Sequence, residues 1–306
     1  MKGDSFALLR CTIAGLIPLM MSEKYSCFTD KFYQPQKNDF DKIIKTKSYF
    51  LLRDLPAKVA CRILLPEIPQ ILSKQKNDGL WQNSTKVTYD ILSALKFVNV
   101  LEDLIANKKM KNVLGKIGDK YDYHSLLMKL LIFNQTSEKD LFEIKKIIQD
   151  IKNAQNNDGS WENTVVATVY HIEKLLSLGI MGDDSSFEKG IVFLFKNLNL
   201  KWSGLQSSGK AYGLQASCFF STENRDLEFE ATKKYYGEFD PKLVCFRHLG
   251  VIQNSLCLKL FLKLGFGSDE RIIAALDGLF EIYKKYDSLC YFRVQKKFML
   301  NNPVSG

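Results

Sequence analysis

Apolar residues recur every three or four positions through much of the chain, and the pattern breaks and restarts at polar turns. Leu141, Ile144, Ile148 and Ile151 keep helical spacing, and so do Val165, Val169, Ile172 and Leu176. The spacing predicts two helices joined by the polar cluster Asn157-Asp158-Gly159. Gly159 is expected to stop the first helix, because glycine accepts the left-handed conformation of a helix end. Asn163 is expected to cap the second helix, and Leu178-Gly179 to end it. Upstream, Asn83 is expected to cap a helix carrying Val87, Ile91 and Leu95. The stretch from Asp54 to Gln75 reads as one or two short helices, with Pro56, Pro66 and Pro69 near their starts. Residues 200–255 read as less regular, with Gly204, Gly209, Gly213, Gly237 and Asp240-Pro241, and are the expected place for loops.

The turn repeats. Gln75-Lys-Asn-Asp78-Gly79-Leu-Trp81-Gln-Asn83 returns 80 residues later as Gln155-Asn-Asn-Asp158-Gly159-Ser-Trp161-Glu-Asn163. Downstream, Thr88 falls on Thr168, Leu92 on Ile172 and Leu95 on Leu175. An 80-residue offset fits two units of about 40 residues, the scale of two-helix repeats. A degraded middle copy is expected at Gly118-Asp119-Lys-Tyr121, and another at Tyr286-Asp287-Ser288-Leu-Cys290. Leu178-Gly179 through Asp183-Asp184 also has the shape of Leu264-Gly265 through Asp269-Glu270.

Composition narrows the class. The 306 residues carry only seven prolines, so long stretches lack breakers. Net charge is +9, much of it lysine. That excess has three readings: nucleic-acid contact, an anionic membrane surface, or a solvated lysine face. No basic run is interleaved with aromatics as a base-stacking platform would be, and no nucleic-acid motif is present. Seven scattered cysteines without a C-x-x-C point to free thiols in a reducing, cytoplasmic setting. Phe6 to Met21 is apolar but interrupted by Arg10 and Pro18, and reads as a buried helix; peripheral membrane contact is the alternative.

The motif Gln-x-x-Asp-Gly-x-Trp before a helix resembles the repeat of squalene cyclases, class II terpene cyclases and protein prenyltransferase β subunits. The resemblance implies an all-α fold, an (α/α)6 toroid of helix hairpins forming one domain over residues 1–306. It also implies an apolar central cavity able to hold an isoprenoid. Asp78, Gly79, Trp81, Asp158, Gly159 and Trp161 are structural in such a repeat. Gln155 would bond across helix ends.

The chemistry of that family is harder to place. Class II cyclisation needs a strong carboxylic acid assisted by neighbouring carboxylates, which the family supplies as Asp-x-Asp-Asp. The chain has no such motif; Asp39-Phe-Asp41 is a fragment of one, read as a helix-start pair. Asp183-Asp184 looks like half of a Mg²⁺-binding diphosphate motif, but it also suits a helix start. Prenyltransferases hold zinc with Asp, Cys and His, and Asp240, Cys245 and His248 bring those three types within nine residues. Their spacing differs from the family's, and the preferred reading is a helix start at Asp240-Pro241 with Cys245 buried and His248 hydrogen-bonded. No cofactor is therefore expected, with Mg or Zn as the alternatives. Arg225, Lys233, Arg247 and Tyr236 lie in the densest basic and aromatic neighbourhood and are the candidate groups for a prenyl diphosphate. His124 and His171 read as ordinary core or rim residues. Two functions follow: an isoprenoid-binding or isoprenoid-transforming protein, or a non-catalytic ring that kept the architecture and lost the chemistry.

Overall fold

The computed structural model describes residues 65–97, 99–105, 108–198, 225–236 and 246–276. Among these residues the chain is helical and has no β-strand; Trp161 and Thr164 form an isolated bridge. The expected helix at Phe6–Met21, the Asp39–Asp41 pair and the Tyr286–Cys290 copy lie outside the described residues.

The elements alternate as the turn repeat predicts. Helix α1 (Ile68–Ser73) leads into the first Gln-x-x-Asp-Gly-x-Trp turn, which opens α2 (Thr85–Phe97). Two helices follow, α3 (Leu101–Ile105) and α4 (Lys108–Ile117). Helix α5 (Tyr123–Leu127) continues as a π-turn over Met128–Ile132. Helix α6 (Glu138–Asn153) leads into the second Gln-x-x-Asp-Gly-x-Trp turn and then α7 (Val165–Ser177). Helix α8 (Ser185–Lys196) comes next. Helix α9 (Arg225–Tyr236) lies within residues 200–255 and α10 (Phe246–Lys263) begins there, while Gly204, Gly209, Gly213, Gly237 and Asp240-Pro241 lie outside the described residues. A 3-10 turn at Phe266–Ser268 precedes further helix over 270–276.

Four bonds recur in both turns. Trp81 and Trp161 donate their indole N–H to the backbone oxygens of Ile71 (2.8 Å) and Ile151 (2.7 Å). Gln75 and Gln155 donate to the oxygens of Gly79 and Gly159, each at 2.9 Å. The backbone N–H groups of Trp81 and Trp161 donate to the hydroxyls of Thr88 and Thr168, each at 3.1 Å. Asp78 and Asp158 accept from the N–H two residues on. Gln155 also donates to the oxygen of Ser186, tying the end of α6 to the start of α8. Buried polar groups that lose water need such partners, so the motif satisfies the backbone at two helix ends at once.

Three local expectations change. Helix α6 ends at Asn153 with Ala154 as its C-terminal cap, and Gly159 sits further on, at φ +90, inside the turn. Its role is close approach: a Cβ there would strike the backbone of Lys189 on α8. Gly79 is equivalent, at φ +86 and under Lys109 and Val113 of α4. Neither Asn163 nor Asn83 is a helix cap. Both lie in the left-handed region, at φ 53 and φ 55, which asparagine tolerates. The caps are one residue later: Thr164 accepts from the N–H of Ala167, and Ser84 from that of Val87. Leu141 also leaves the expected stripe and is exposed, whereas Ile144 and Ile151 are buried.

Other expectations hold. Asp184 caps α8, accepting from Ser186 and Phe187, and pairs with Lys152. Gly179 ends α7 at φ +86, with the N–H of Ile180 bonded to the oxygen of Leu175 at 3.0 Å. Asn99 and Val100 repeat this geometry 80 residues earlier, onto Leu95. Beside Gly118-Asp119-Lys-Tyr121, where a degraded copy is expected, the bonds are made by a lysine. Lys129, in the π-turn, donates to the oxygens of Gly118 (2.7 Å) and Lys120 (3.1 Å) and to the carboxylate of Asp140 (2.6 Å). Asp140 completes a capping box with Ser137 at the start of α6.

The core forms where these helices meet. Helix α7 packs against α8, α9 and α10, and α2 packs against α5. Val165, Val166, Ala167, Thr168, Val169, Ile172 and Leu175 are buried around most of α7. An all-round buried helix is an interior one.

Candidate functional site

Helices α2 and α7 are the two copies of one helix, and their differences are informative. The packing positions match: Thr88 with Thr168, Leu92 with Ile172, Leu95 with Leu175. Between them Asp90 becomes Tyr170, Ile91 becomes His171, Ser93 becomes Glu173 and Ala94 becomes Lys174. Helix α7 thus carries four polar or aromatic side chains that differ from those of α2 on the same scaffold.

Tyr170, His171 and Lys174 join a line of rings that crosses four helices. Tyr89 on α2 lies 5.9 Å from His124 on α5, whose ring meets Tyr123 edge-on at 5.1 Å. The Lys174 ammonium sits over two ring faces, 4.6 Å from the centroid of Tyr123 and 4.9 Å from that of Tyr170. Tyr170 stacks on Tyr235 of α9 at 4.3 Å. His171 stacks on Trp161 at 5.5 Å, and its Nε2 lies 3.3 Å from the Tyr235 hydroxyl. Tyr235 and Lys234 both donate to Glu162, the left-handed residue (φ 54) that follows Trp161. Tyr123, His124, Tyr170, His171 and Lys174 are all half-buried, so the line is partly open to solvent.

Burial sets the protonation states. It pushes the His171 imidazole down from 6.5 to about 4, with the nearby Lys174 cation adding to the effect. His171 is therefore neutral at pH 7, and its buried Nδ1 has no hydrogen-bond partner. Burial alone holds the Lys174 amine below its ordinary value. Burial and the hydrogen bond to Glu162 raise the Tyr235 phenol to about 12. Burial opposes ionisation of Glu162, but the bonds from Lys234 and Tyr235 outweigh it and lower its pKa.

The opposite side of α7 is held by charge. Glu173 pairs with Lys259 (3.2 Å) and Lys263 (3.7 Å) of α10. Glu228 on α9, almost wholly buried, accepts from the N–H groups of Val165 (2.7 Å) and Val166 (3.1 Å) and so caps α7 from outside. Burial, then the Glu228 and Glu173 carboxylates, push the Cys257 thiol well up. That thiol is an inert packing group.

The groups singled out in the sequence belong to residues 225–248. Lys233 is exposed on α9. Arg225 and Tyr236 are the first and last residues of α9, and Arg247 and His248 fall in the first turn of α10. Asp240 and Cys245 lie outside the described residues. Among the described residues no group of three or more His, Cys, Asp or Glu is placed to hold a metal ion, and no helix is long and apolar enough to cross a membrane. His124 and His171 are half-buried and pack in the line of rings. For His171 the signal was the mismatch inside the 80-residue self-match; His124 lies outside that match.

Comparison with protein-family models, curated proteins and solved structures gives no match.

Proposed function

We propose that the chain closes as an (α/α)6 toroid of the terpene cyclase and protein prenyltransferase kind and binds an isoprenoid in its interior. One observation carries this reading: the aromatic and cationic line from Tyr89 through Lys174 to Tyr235 spans α2, α5, α7 and α9. Flat ring faces suit an unsaturated prenyl chain, and a half-buried ammonium suits an electron-rich end group. The twice-repeated Gln-x-x-Asp-Gly-x-Trp turn, with the same bonds in both copies, supports the architecture. Binding, rather than protonation-driven cyclisation, is the reading because the chain has no Asp-x-Asp-Asp.

Native mass spectrometry of the full chain with farnesol, farnesyl diphosphate and geranylgeranyl diphosphate tests it. Retention of at least one ligand, weakened by Tyr170→Ala, is the expected result. Retention of none sinks the reading. Product analysis of the same mixtures separates a binder from an enzyme.

A further inference from the structure

Helix α6 buries Asp140, Ile144 and Ile151 along one face. At about 3.6 residues per turn, Phe142 points directly away from them. Its side chain is 66% exposed, and Leu141 beside it is exposed as well. Water is a poor place for a phenylalanine ring. The residues that share its face lie three and four positions away. Lys139, Lys145 and Lys146 are three of these and Glu138 is the fourth, all exposed, so cations outnumber acids around the ring. Lys139 leans over Tyr121, while Lys145 and Lys146 form no ion pair among the described residues. Helix α8 repeats the arrangement. Phe187, Gly190, Ile191 and Leu194 are buried on one side, and exposed Val192 stands between exposed Lys189 and Lys196. The end of α6 is tied to the start of α8 by the Lys152–Asp184 pair and by the bond from Gln155 to Ser186.

Shape and charge select the occupant of this face. A stable protein partner buries about 800 Å² on each side around a packed apolar centre. Here one ring stands among long, flexible lysines, which is a poor match for such a partner. A bilayer needs no matching relief. The ring enters at the boundary of headgroups and acyl chains, the lysine stems lie along apolar surface, and their ammonium groups reach anionic headgroups. The net charge of +9 attracts the whole chain to a surface of that sign. We propose that the outward face of α6 docks on an anionic lipid surface, with Phe142 inserted at the headgroup boundary and Lys139, Lys145 and Lys146 on the headgroups. The contact is peripheral and reversible, each lysine near the surface adding about fivefold to partitioning. None of these residues belongs to the line of rings, so docking stands apart from isoprenoid binding.

Vesicle sedimentation tests it. The full chain is spun with vesicles of one part phosphatidylserine to two parts phosphatidylcholine, and with vesicles of phosphatidylcholine alone. Binding to the first and not to the second is expected, with loss of binding in about 1 M NaCl, where the Debye length is about 3 Å. F142S is expected to weaken binding about tenfold or more, the contribution of one buried aromatic side chain. K139E/K145E/K146E is expected to abolish it. Both variants change exposed side chains only, and should keep the circular dichroism and urea midpoint of the parent. K74E, at an exposed lysine after α1, is the control and is expected to bind as the parent does. Parent-like binding by F142S or by the triple variant overturns the proposal, and so does binding to neither vesicle. A dimer in sedimentation velocity that F142S dissolves assigns the face to a second copy of the chain and also overturns it.

Discussion

Trp161 donates its indole N–H to the backbone oxygen of Ile151, 2.7 Å away, at the end of the helix that precedes it. The bond closes a loop: the residue that opens α7 holds the last turn of α6. Trp161 is nearly fully buried, and Gly190 of α8 leaves room for its ring. Trp161→Ala is expected to cost about 3–5 kcal/mol, as large aromatic truncations in cores do. Trp161→Phe keeps most of the ring and loses the bond, and is expected to cost about 1–3 kcal/mol. Urea unfolding of the two variants checks the order. A Trp161→Phe variant as unstable as Trp161→Ala would show that the hydrogen bond, and not the volume, dominates.

Gly159→Ala tests the close approach of the turn to α8. The new Cβ meets the Lys189 backbone, which has no flexible end to move aside, and the residue holds φ +90. Left-handed strain and overpacking together are expected to cost at least about 2 kcal/mol. Gly182→Ala is the control, since nothing lies within 4 Å of a Cβ there. Equal midpoints for the two variants in urea would contradict the packing assignment.

Lys129→Met removes an ammonium that serves three acceptors. It leaves Asp140 buried without its cation, and breaking such a pair costs about 3–5 kcal/mol. Adding Asp140→Asn is expected to recover part of the loss, because the remaining charge disappears while the bond to the Ser137 N–H has an acceptor. A double variant no better than Lys129→Met would place the cost at the Gly118 and Lys120 carbonyls instead.

Acid is expected to weaken the cluster through His171. Its folded pKa, about 4, lies below the ordinary 6.5, so the unfolded chain binds more protons between those values. Stability from this group is complete above about pH 6.5 and falls as pH drops towards 4. The carboxylates of Asp122, Asp140 and Asp184, all lowered from 3.8, act below that window. His171→Phe preserves the stack on Trp161 and removes the titration. Thermal melts of this variant should lose the slope between pH 4 and 6.5 that the parent protein shows. Parallel slopes in both proteins would assign the acid sensitivity elsewhere.

The repeat was legible because it is local. Gln, Asp, Gly and Trp at fixed spacing each satisfy a nearby backbone group or fill a nearby gap, so the same letters give the same bonds in both copies. Helix caps were read one residue early. Asn83 and Asn163 have the chemistry of a cap, yet the turn needs them at positive φ and passes the role to Ser84 and Thr164. Residues 225–248 drew attention because charges and rings are dense there in sequence; of them Lys234 and Tyr235 meet Glu162, and Asp240 and Cys245 lie outside the described residues.

By itself, then, the sequence determined the helical class, the 80-residue period and the glycine and tryptophan positions that tie one helix to the next. These depend on spacing and backbone conformation, both of which are written in order along the chain. Only the tertiary structure decided which unrepeated residues meet. Lys174 lies between Tyr123 and Tyr170, and Tyr235 meets His171 and Glu162, because α5, α7 and α9 converge from distant segments. Their protonation follows from the water that this convergence excludes, and no local pattern encodes that exclusion.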